Sequence, residues 1–428
     1  MTTTRNQDQL PRDTDVLVVG AGPAGLASAI SLATHGVRVV IVDALAEGLK
    51  GARAAIVHAH TLEELDSLHC AAPLVAAGIP SPTIVMYDER GRPLVTVAFN
   101  ELKDDTRYPI GLLISQTDVE RILADRLAAL GVRVYRSKRV SDMRDVKRGL
   151  CVQFESGEQV TAAYVVAADG SRSTIRQLSG IRFLDPHTLV ESIAAPTAPS
   201  LALADVILAS PLPASVPRDR AIGRFSAHGF IMLIPLRNHF ASAPEDENLF
   251  RIVANARAPP REPDVKYMQA LLDERVKGAR ALRVLGGSRY RARSALAEHL
   301  ALRRGDGWVL LAGDSAHAHS PAGGQGMNLG LCDGVLLGKA IATHLNGDPA
   351  VTGGDAVFER WAANRRAVAA MVINVAERAT DLAKVSGSWS AAVRGMVLKM
   401  AEKVPGVGRA IAWRISGLAW KMGDAGAF

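Results

Sequence analysis

The run Asp15 to Val19 (DVLVV) passes directly into Gly20-Ala21-Gly22-Pro23-Ala24-Gly25, a pattern that few folds accommodate. An apolar run of this kind makes a buried parallel strand, and the glycines behind it have separable duties. The first permits a tight turn, the second lets the backbone approach a pyrophosphate, and the third lets a helix pack close to the strand. From Pro23 to His35 the sequence is alanine-rich and helical in character, Pro23 suits a first turn, and Gly36 is a natural stop. The positive helix end then faces the phosphates. Val37 to Val42 (VRVVIV) reads as the next strand and ends at Asp43, ~20 residues after the glycines, where a ribose-binding carboxylate belongs. Strand, helix, strand and acid in register predict a βαβ unit that holds a dinucleotide, without separating NAD from FAD.

The rest of the composition bounds this reading. A chain of 428 residues exceeds what one hydrophobic core usually serves, and 48% apolar residues fill a sizeable interior, so two interlocked domains or one domain with a large insertion is expected. Lys and Arg outnumber Asp and Glu by 50 to 43, but they are scattered, which predicts a solvated surface that favours anionic ligands and no nucleic-acid tract. Cys70, Cys151 and Cys332 lie far apart with no C-x-x-C spacing, so neither a disulfide framework nor a metal site is expected. Residues 1–14 are polar and no run of ~18 apolar residues occurs, which places the expected home in the cytoplasm.

Two further segments narrow the nucleotide. Tyr164 to Ala168 (YVVAA) is a second buried-strand run, followed by Asp169-Gly170-Ser171-Arg172-Ser173-Thr174-Ile175-Arg176. Trp308 to Ala312 (WVLLA) is a third, followed by Gly313-Asp314, Ser315-Ala316-His317, Pro321, Gly323-Gly324-Gln325-Gly326, Asn328, Gly330 and Asp333. An Asp at the C-terminal end of a buried strand can accept hydrogen bonds from polyol hydroxyls, and the glycines admit backbone N–H groups to a flat ring. Weaker signals fall between: Arg53-Ala54 ahead of His60-Thr61-Leu62-Glu63-Glu64-Leu65, and Gln116 at the head of an amphipathic stretch.

In this order the segments resemble the D-G and G-D motifs of the class A flavoprotein aromatic hydroxylases, the family of p-hydroxybenzoate hydroxylase, over about residues 13 to 375. The resemblance implies an α/β fold: a Rossmann-like FAD-binding domain of the GR2 type, an inserted β-rich substrate domain and C-terminal helices. It implies FAD as cofactor, NADPH or NADH as co-substrate, and hydroxylation of a small phenolic or polyketide-like aromatic with O2 through a flavin C4a-hydroperoxide. The FAD contacts carried over are Gly20, Gly22, Pro23, Ala24, Gly25, Asp43, Arg53, Gln116, Asp169, Asp314, Gly324, Gly326, Met327 and Asn328. Asp314 takes the ribityl hydroxyls, while the N–H groups of Gly326, Met327 and Asn328 stabilise charge at flavin N1 and O2. The Pro321 segment lines the reactive face. The family's Glu-Arg pair after the second strand is Asp43-Ala44 here, which leaves the choice between NADH and NADPH open. An epoxidase, a reductase or a halogenase-like enzyme on the same scaffold, or a non-catalytic flavin-binding redox protein, stays in play, although no W-x-W-x-I-P segment occurs.

Residues 183 to 290 carry alternating apolar strands such as Gly229 to Pro235, so the expected division assigns 1–80, 108–182 and 291–375 to the FAD-binding domain, 81–107 and 183–290 to the substrate sheet, and 376–428 to a helical tail. Candidate polar groups for the substrate pocket are Tyr108 and His228, with His58, Tyr290 and His319 behind them, each able to orient a phenol or relay its proton. His317 reads as a structural residue of the G-D turn. The tail interleaves Lys399, Lys403, Arg409, Arg414 and Lys421 with apolar residues, a pattern suited to packing on the body or to weak peripheral membrane contact through 389–422. A monomer or homodimer is expected.

Overall fold

The computed structural model describes residues 9–48, 54–192, 200–238, 247–256, 258–291, 293–321, 323–347, 353–384, 400 and 404–424. The glycine-led strand Asp13–Val19 lies inside a sheet that runs, edge to edge, Ala301–Arg304, Gly307–Leu311, Gln159–Ala167, Asp13–Val19, Val39–Val42 and Val134–Tyr135. The pairings from Gly307–Leu311 to Val134–Tyr135 are all parallel. A hairpin of Val140–Val146 and Gly149–Phe154 extends the sheet antiparallel from the first half of Gln159–Ala167. Parallel strands are covered on both faces, which is why Val16 to Val19 read as an unbroken apolar run and are buried throughout.

Two helices meet on this sheet, Pro23–Thr34 and Gln325–Asn346, and glycine sets how closely. A Cβ on Gly334 would stand 2.3 Å from Ala24 O, and one on Gly338 would stand 2.4 Å from Ser31 Cβ. Ser31 Oγ donates to Val335 O at 2.9 Å in the seam. The close packing sets the first turn of Pro23–Thr34, at Ala24, against Gly330 and Gly334, so the first turn of Gln325–Asn346 projects beyond it at the C-terminal edge of the strands, the place where open α/β sheets bind ligands.

A second sheet stands over that edge, in the order Ala281–Arg291, Ser200–Leu208, Leu249–Asn255, Gly229–Pro235, Ile222–Ser226, Thr83–Tyr87 and Pro93–Ala98. Its strands draw on both the 83–98 and the 200–291 stretches of the chain. On one face Ile231, Leu233, Ile252 and Ala254 are sealed by Met268, Leu271 and Leu272 of helix Val265–Arg275, a helix capped by Asp264, whose carboxylate accepts the Tyr267 N–H at 2.7 Å. On the other face Leu203, Val253, Met232, Gly223 and Met86 pair in one row across the sheet. Val253, Met232 and Met86 in that row stay only half-buried.

After the long helix Ala356–Lys384, helices Val407–Ile415 and Leu418–Asp424 return to the body. Arg409 meets Asp105 at 2.6 Å and Lys421 meets Glu63 at 2.8 Å, so these two basic residues pair with carboxylates of the body. Most of 389–403 lies outside the described residues. Among those described, no helix is long and apolar enough to cross a membrane.

Candidate active site

At the nucleotide loop the glycines do what their positions demand. Gly20 has φ +105°, and a Cβ there would stand 2.2 Å from Ala168 O; a Cβ on Gly25 would stand 1.9 Å from Gly20 O. Gly22, by contrast, faces open space. The helix that begins at Pro23 has no acidic residue in its first turn and no side-chain cap, so its free N–H groups and dipole are open to an anion. Asp43 braces this loop: Oδ2 accepts the Ala21 N–H at 2.7 Å, Oδ1 accepts the Leu45 N–H at 2.8 Å, and Arg136 stands 3.8 Å away.

The two other strand ends are tied to each other. Asp169 Oδ2 accepts the N–H groups of Thr174 at 2.7 Å and Ile175 at 3.2 Å, while Oδ1 is buried with no partner among the described residues. Burial raises its carboxyl pKa, against the lowering pull of the Ser173 hydroxyl and the backbone N–H groups. Arg176 donates to Ser315 O at 2.9 Å and Ser171 O at 3.0 Å and lies 4.1 Å over the Phe183 ring, which binds the D-G turn to the G-D turn.

Asp314 is exposed between buried Gly313 and Ser315, and its carboxylate faces outward from the strand end. The turn that presents it hangs on Asp333, only 1% exposed. Asp333 accepts the Gly313 N–H at 3.0 Å, His317 Nε2–H at 2.6 Å and Arg365 Nε–H at 2.8 Å. Burial alone would push the Asp333 carboxyl up, but the charges and hydrogen bonds of His317 and Arg365 outweigh it and hold the carboxyl at about 2. His317 is thus a structural member of the turn, as its place after Asp314 suggests.

Beyond it, Gly324 N–H closes a turn onto Pro321 O at 3.0 Å, and Gly323 and Gly324 both have positive φ. Helix Gln325–Asn346 starts there with no side-chain cap and no acidic residue in its first turn, which leaves the first-turn amides around Gly326 and Met327 as donors. The Asn328 side chain serves the protein instead: Oδ1 accepts the His58 N–H at 2.8 Å, and Nδ2 donates to Ile56 O at 2.9 Å and Gly324 O at 2.7 Å. His58 contacts Gly323 O at 2.9 Å and His319 contacts Ser320 O at 2.8 Å; burial drops both imidazoles to about 4, so both are neutral near pH 7. Gln116 is held to Ala54, whose O accepts the Gln116 N–H at 3.2 Å and whose N–H donates to Gln116 Oε1 at 3.4 Å; Arg53, next in the chain, lies outside the described residues. Tyr290 crosses from the second sheet and donates to His319 O at 2.6 Å, so the half-buried apolar face looks onto the His319–Pro321 segment.

Two candidates fall elsewhere. Tyr108 bonds to Asp66, at the far end of helix Ala59–Asp66 from His58; burial, then that bond, raise its phenol pKa. His228 is exposed in the turn between Ile222–Ser226 and Gly229–Pro235. The opposite end of those strands, at Ala221 and Leu236, packs with Ile56. Neither is gathered to the turns above.

The arrangement fits FAD on its own geometry: open space over Gly22, an exposed carboxylate at Asp314, an Asp169 Oδ1 unpartnered among the described residues, and a second helix N-terminus for the ring. Such a site is that of an FAD-binding flavoprotein. The chain belongs to the FAD binding domain family, whose model matches residues 13–376, and FAD is its cofactor. It is 32% identical over 378 residues, 84% of this chain and 68% of the relative, to the 12-dehydrotetracycline 5-monooxygenase/anhydrotetracycline 6-monooxygenase of Streptomyces rimosus subsp. rimosus. The structure of the OxyS anhydrotetracycline hydroxylase from Streptomyces rimosus superposes with a TM-score of 0.70 at 28% identity, covering 95% of this chain and 76% of the other. A likeness of fold extends to p-nitrophenol 4-monooxygenase PnpA from Pseudomonas putida DLL-E4, with TM-score 0.77, 23% identity, and 95% and 99% covered.

Proposed function

We propose that the protein is an FAD-dependent monooxygenase that uses NAD(P)H and O2 to hydroxylate an aromatic substrate of phenolic or polyketide-like chemistry. The observation that carries this reading is the half-buried apolar row Met86, Met232 and Val253 on the sheet face from which Tyr290 reaches His319 O. Bound FAD supplies the redox chemistry, taking hydride from the nicotinamide and activating O2.

The chain's own residues bind, orient and exclude water. The Pro23–Thr34 N-terminus takes the pyrophosphate, Asp43 lies at the ribose position and Asp314 accepts the ribityl hydroxyls. The Gly326 and Met327 amides, backed by the helix dipole, stabilise negative charge on the ring, and the neutral histidines His58 and His319 add none of the opposite sign. Methionines on the facing sheet give a polarizable, adaptable wall that suits a fused aromatic ring system and keeps water from the reacting atoms. The tetracycline-hydroxylating relatives act on substrates of that description. Pro321 lines the reactive side. Arg172 is exposed beside the D-G turn, and Arg293, 4.7 Å from the Phe183 ring, has a buried Nε with no partner among the described residues; together they suit the pyrophosphate of the nicotinamide coenzyme.

The test is NAD(P)H oxidation by the purified flavoprotein against a panel of simple phenols and tetracyclic aromatics. The reading predicts that a member of the panel accelerates oxidation with a matching yield of hydroxylated product. Oxidation that no aromatic accelerates would overturn it.

A further inference from the structure

Beyond residue 376, where the family match ends, the chain returns to the flavin end of the site. Helix Val407–Ile415 lies along strand Pro93–Ala98 so closely that a Cβ on Gly408 would stand 3.2 Å from Thr96 O, and Ala412 is fully buried beneath it. The helix ends in Ser416 and in Gly417, φ +83°, before Leu418–Asp424 begins. Its terminal carbonyls, which have no partner within a helix, are taken up by the FAD-binding domain. Ile415 O accepts Gln325 Nε2–H at 2.8 Å, and Ser416 O accepts the His60 N–H at 3.0 Å.

Gln325 is the first residue of the helix whose N-terminus faces the ring, it is only 4% exposed, and the same amide group reaches Gly323 O at 3.3 Å. The two residues before it, Gly323 and Gly324, have positive φ and no side chains of their own to hold the turn. We propose that the C-terminal hairpin 404–424 is a clamp on this turn, acting through Gln325 as a positioning residue for the flavin end of FAD. The proposal rests on the FAD site and not on the oxygen chemistry, so it stands or falls separately from the hydroxylation reading. The hairpin bonds to the flavin turn and to residues near it, whereas the adenosine end lies at Gly20–Gly25 and Asp43. A clamp therefore acts on one half of the cofactor only.

Full-length apoprotein of the wild type, Gln325→Ala and Gly417→Ala is titrated with FAD and with ADP, which fills only the adenosine and pyrophosphate positions. Gln325→Ala removes the bond from the flavin side. Gly417→Ala displaces the hairpin from the other side, since its Cβ would stand 3.1 Å from His60 Cβ at a left-handed φ. The expected result is an FAD Kd raised about 5–10-fold in both variants, the worth of a lost hydrogen bond, with the ADP Kd unchanged within about twofold. ADP binding also reports that each variant is folded. Equal weakening of FAD and ADP, an unchanged FAD Kd, or weakening by Gln325→Ala alone would each overturn the clamp.

Discussion

Substituting Asp333 by Ala removes the group on which the G-D turn hangs. It deletes the acceptor of the Gly313 N–H, the partner of His317, and the carboxylate that the fully buried Arg365 reaches with Nε. Breaking one side of a buried ion pair costs about 3–5 kcal/mol, and stranding a buried backbone N–H adds about 1–3. Allowing for relaxation, the expected loss is about 4–6 kcal/mol, comparable with the whole net stability of many domains. Asp314→Ala, one residue beyond Gly313, removes an exposed carboxylate that makes no hydrogen bond or ion pair among the described residues; the apoprotein should keep its stability within about 0.5 kcal/mol. Its FAD affinity should fall about 10–100-fold, because ribityl hydroxyls lose a charged acceptor. Urea unfolding of the two apoproteins followed by circular dichroism, with FAD titrations by fluorescence quenching, separates them. If Asp314→Ala destabilised the apoprotein as much as Asp333→Ala, the division between a holding and a binding carboxylate would be refuted.

Other consequences follow from the same geometry. Gly20→Ala places a Cβ 2.2 Å from Ala168 O at φ +105°, so the protein should purify without flavin; a normal flavin absorbance in that variant would contradict the loop assignment. Arg293→Ala should raise the KM for NAD(P)H about tenfold and leave FAD content intact, and an unchanged KM would remove Arg293 from the coenzyme site. Acid should act in two stages. His58 and His319 are held to about 4, below the ~6.5 of an unfolded chain, so the stability they contribute is full above ~6.5 and is lost as pH falls toward 4, up to about 3 kcal/mol each. Asp333, at about 2, contributes above ~3.9 and loses its share only below that. Urea midpoints that stayed constant from about pH 7 to about pH 4.5 would sink the first stage.

The features legible in the sequence are those whose chemistry lies in consecutive residues. Gly20 and Gly25 must be glycine because backbone atoms occupy the place of a Cβ, and that constraint is written in a short motif. Asp314 is likewise readable at the end of an apolar strand run. What was not readable joins distant parts of the chain: Arg365 to Asp333 across 32 positions, Asn328 to Ile56 across 272, and Gln325 to Ile415 across 90. Asn328 shows the limit well, since its place in the motif points to its backbone N–H, whereas the bonds of its side chain to His58, Ile56 and Gly324 have no sign in the sequence. A lone His or Tyr carries even less, because only the strand order decides whether it meets the site. His228 falls in an exposed hairpin turn and Tyr108 beside Asp66, whereas Tyr290, no more conspicuous in the sequence, reaches His319 O. Asp333 was within reach, since a buried acid one helix turn beyond Gly330 needs a partner and His317 is near in the motif.

The central claim is that this protein inserts one atom of O2 into an aromatic substrate on FAD. The most direct measurement is turnover with NAD(P)H under 18O2 in ordinary water, with the aromatic that most accelerates coenzyme oxidation, followed by mass spectrometry of the product. The account predicts one 18O atom in each new hydroxyl group. Label arriving from water, or peroxide formed with the aromatic recovered unchanged, would contradict it.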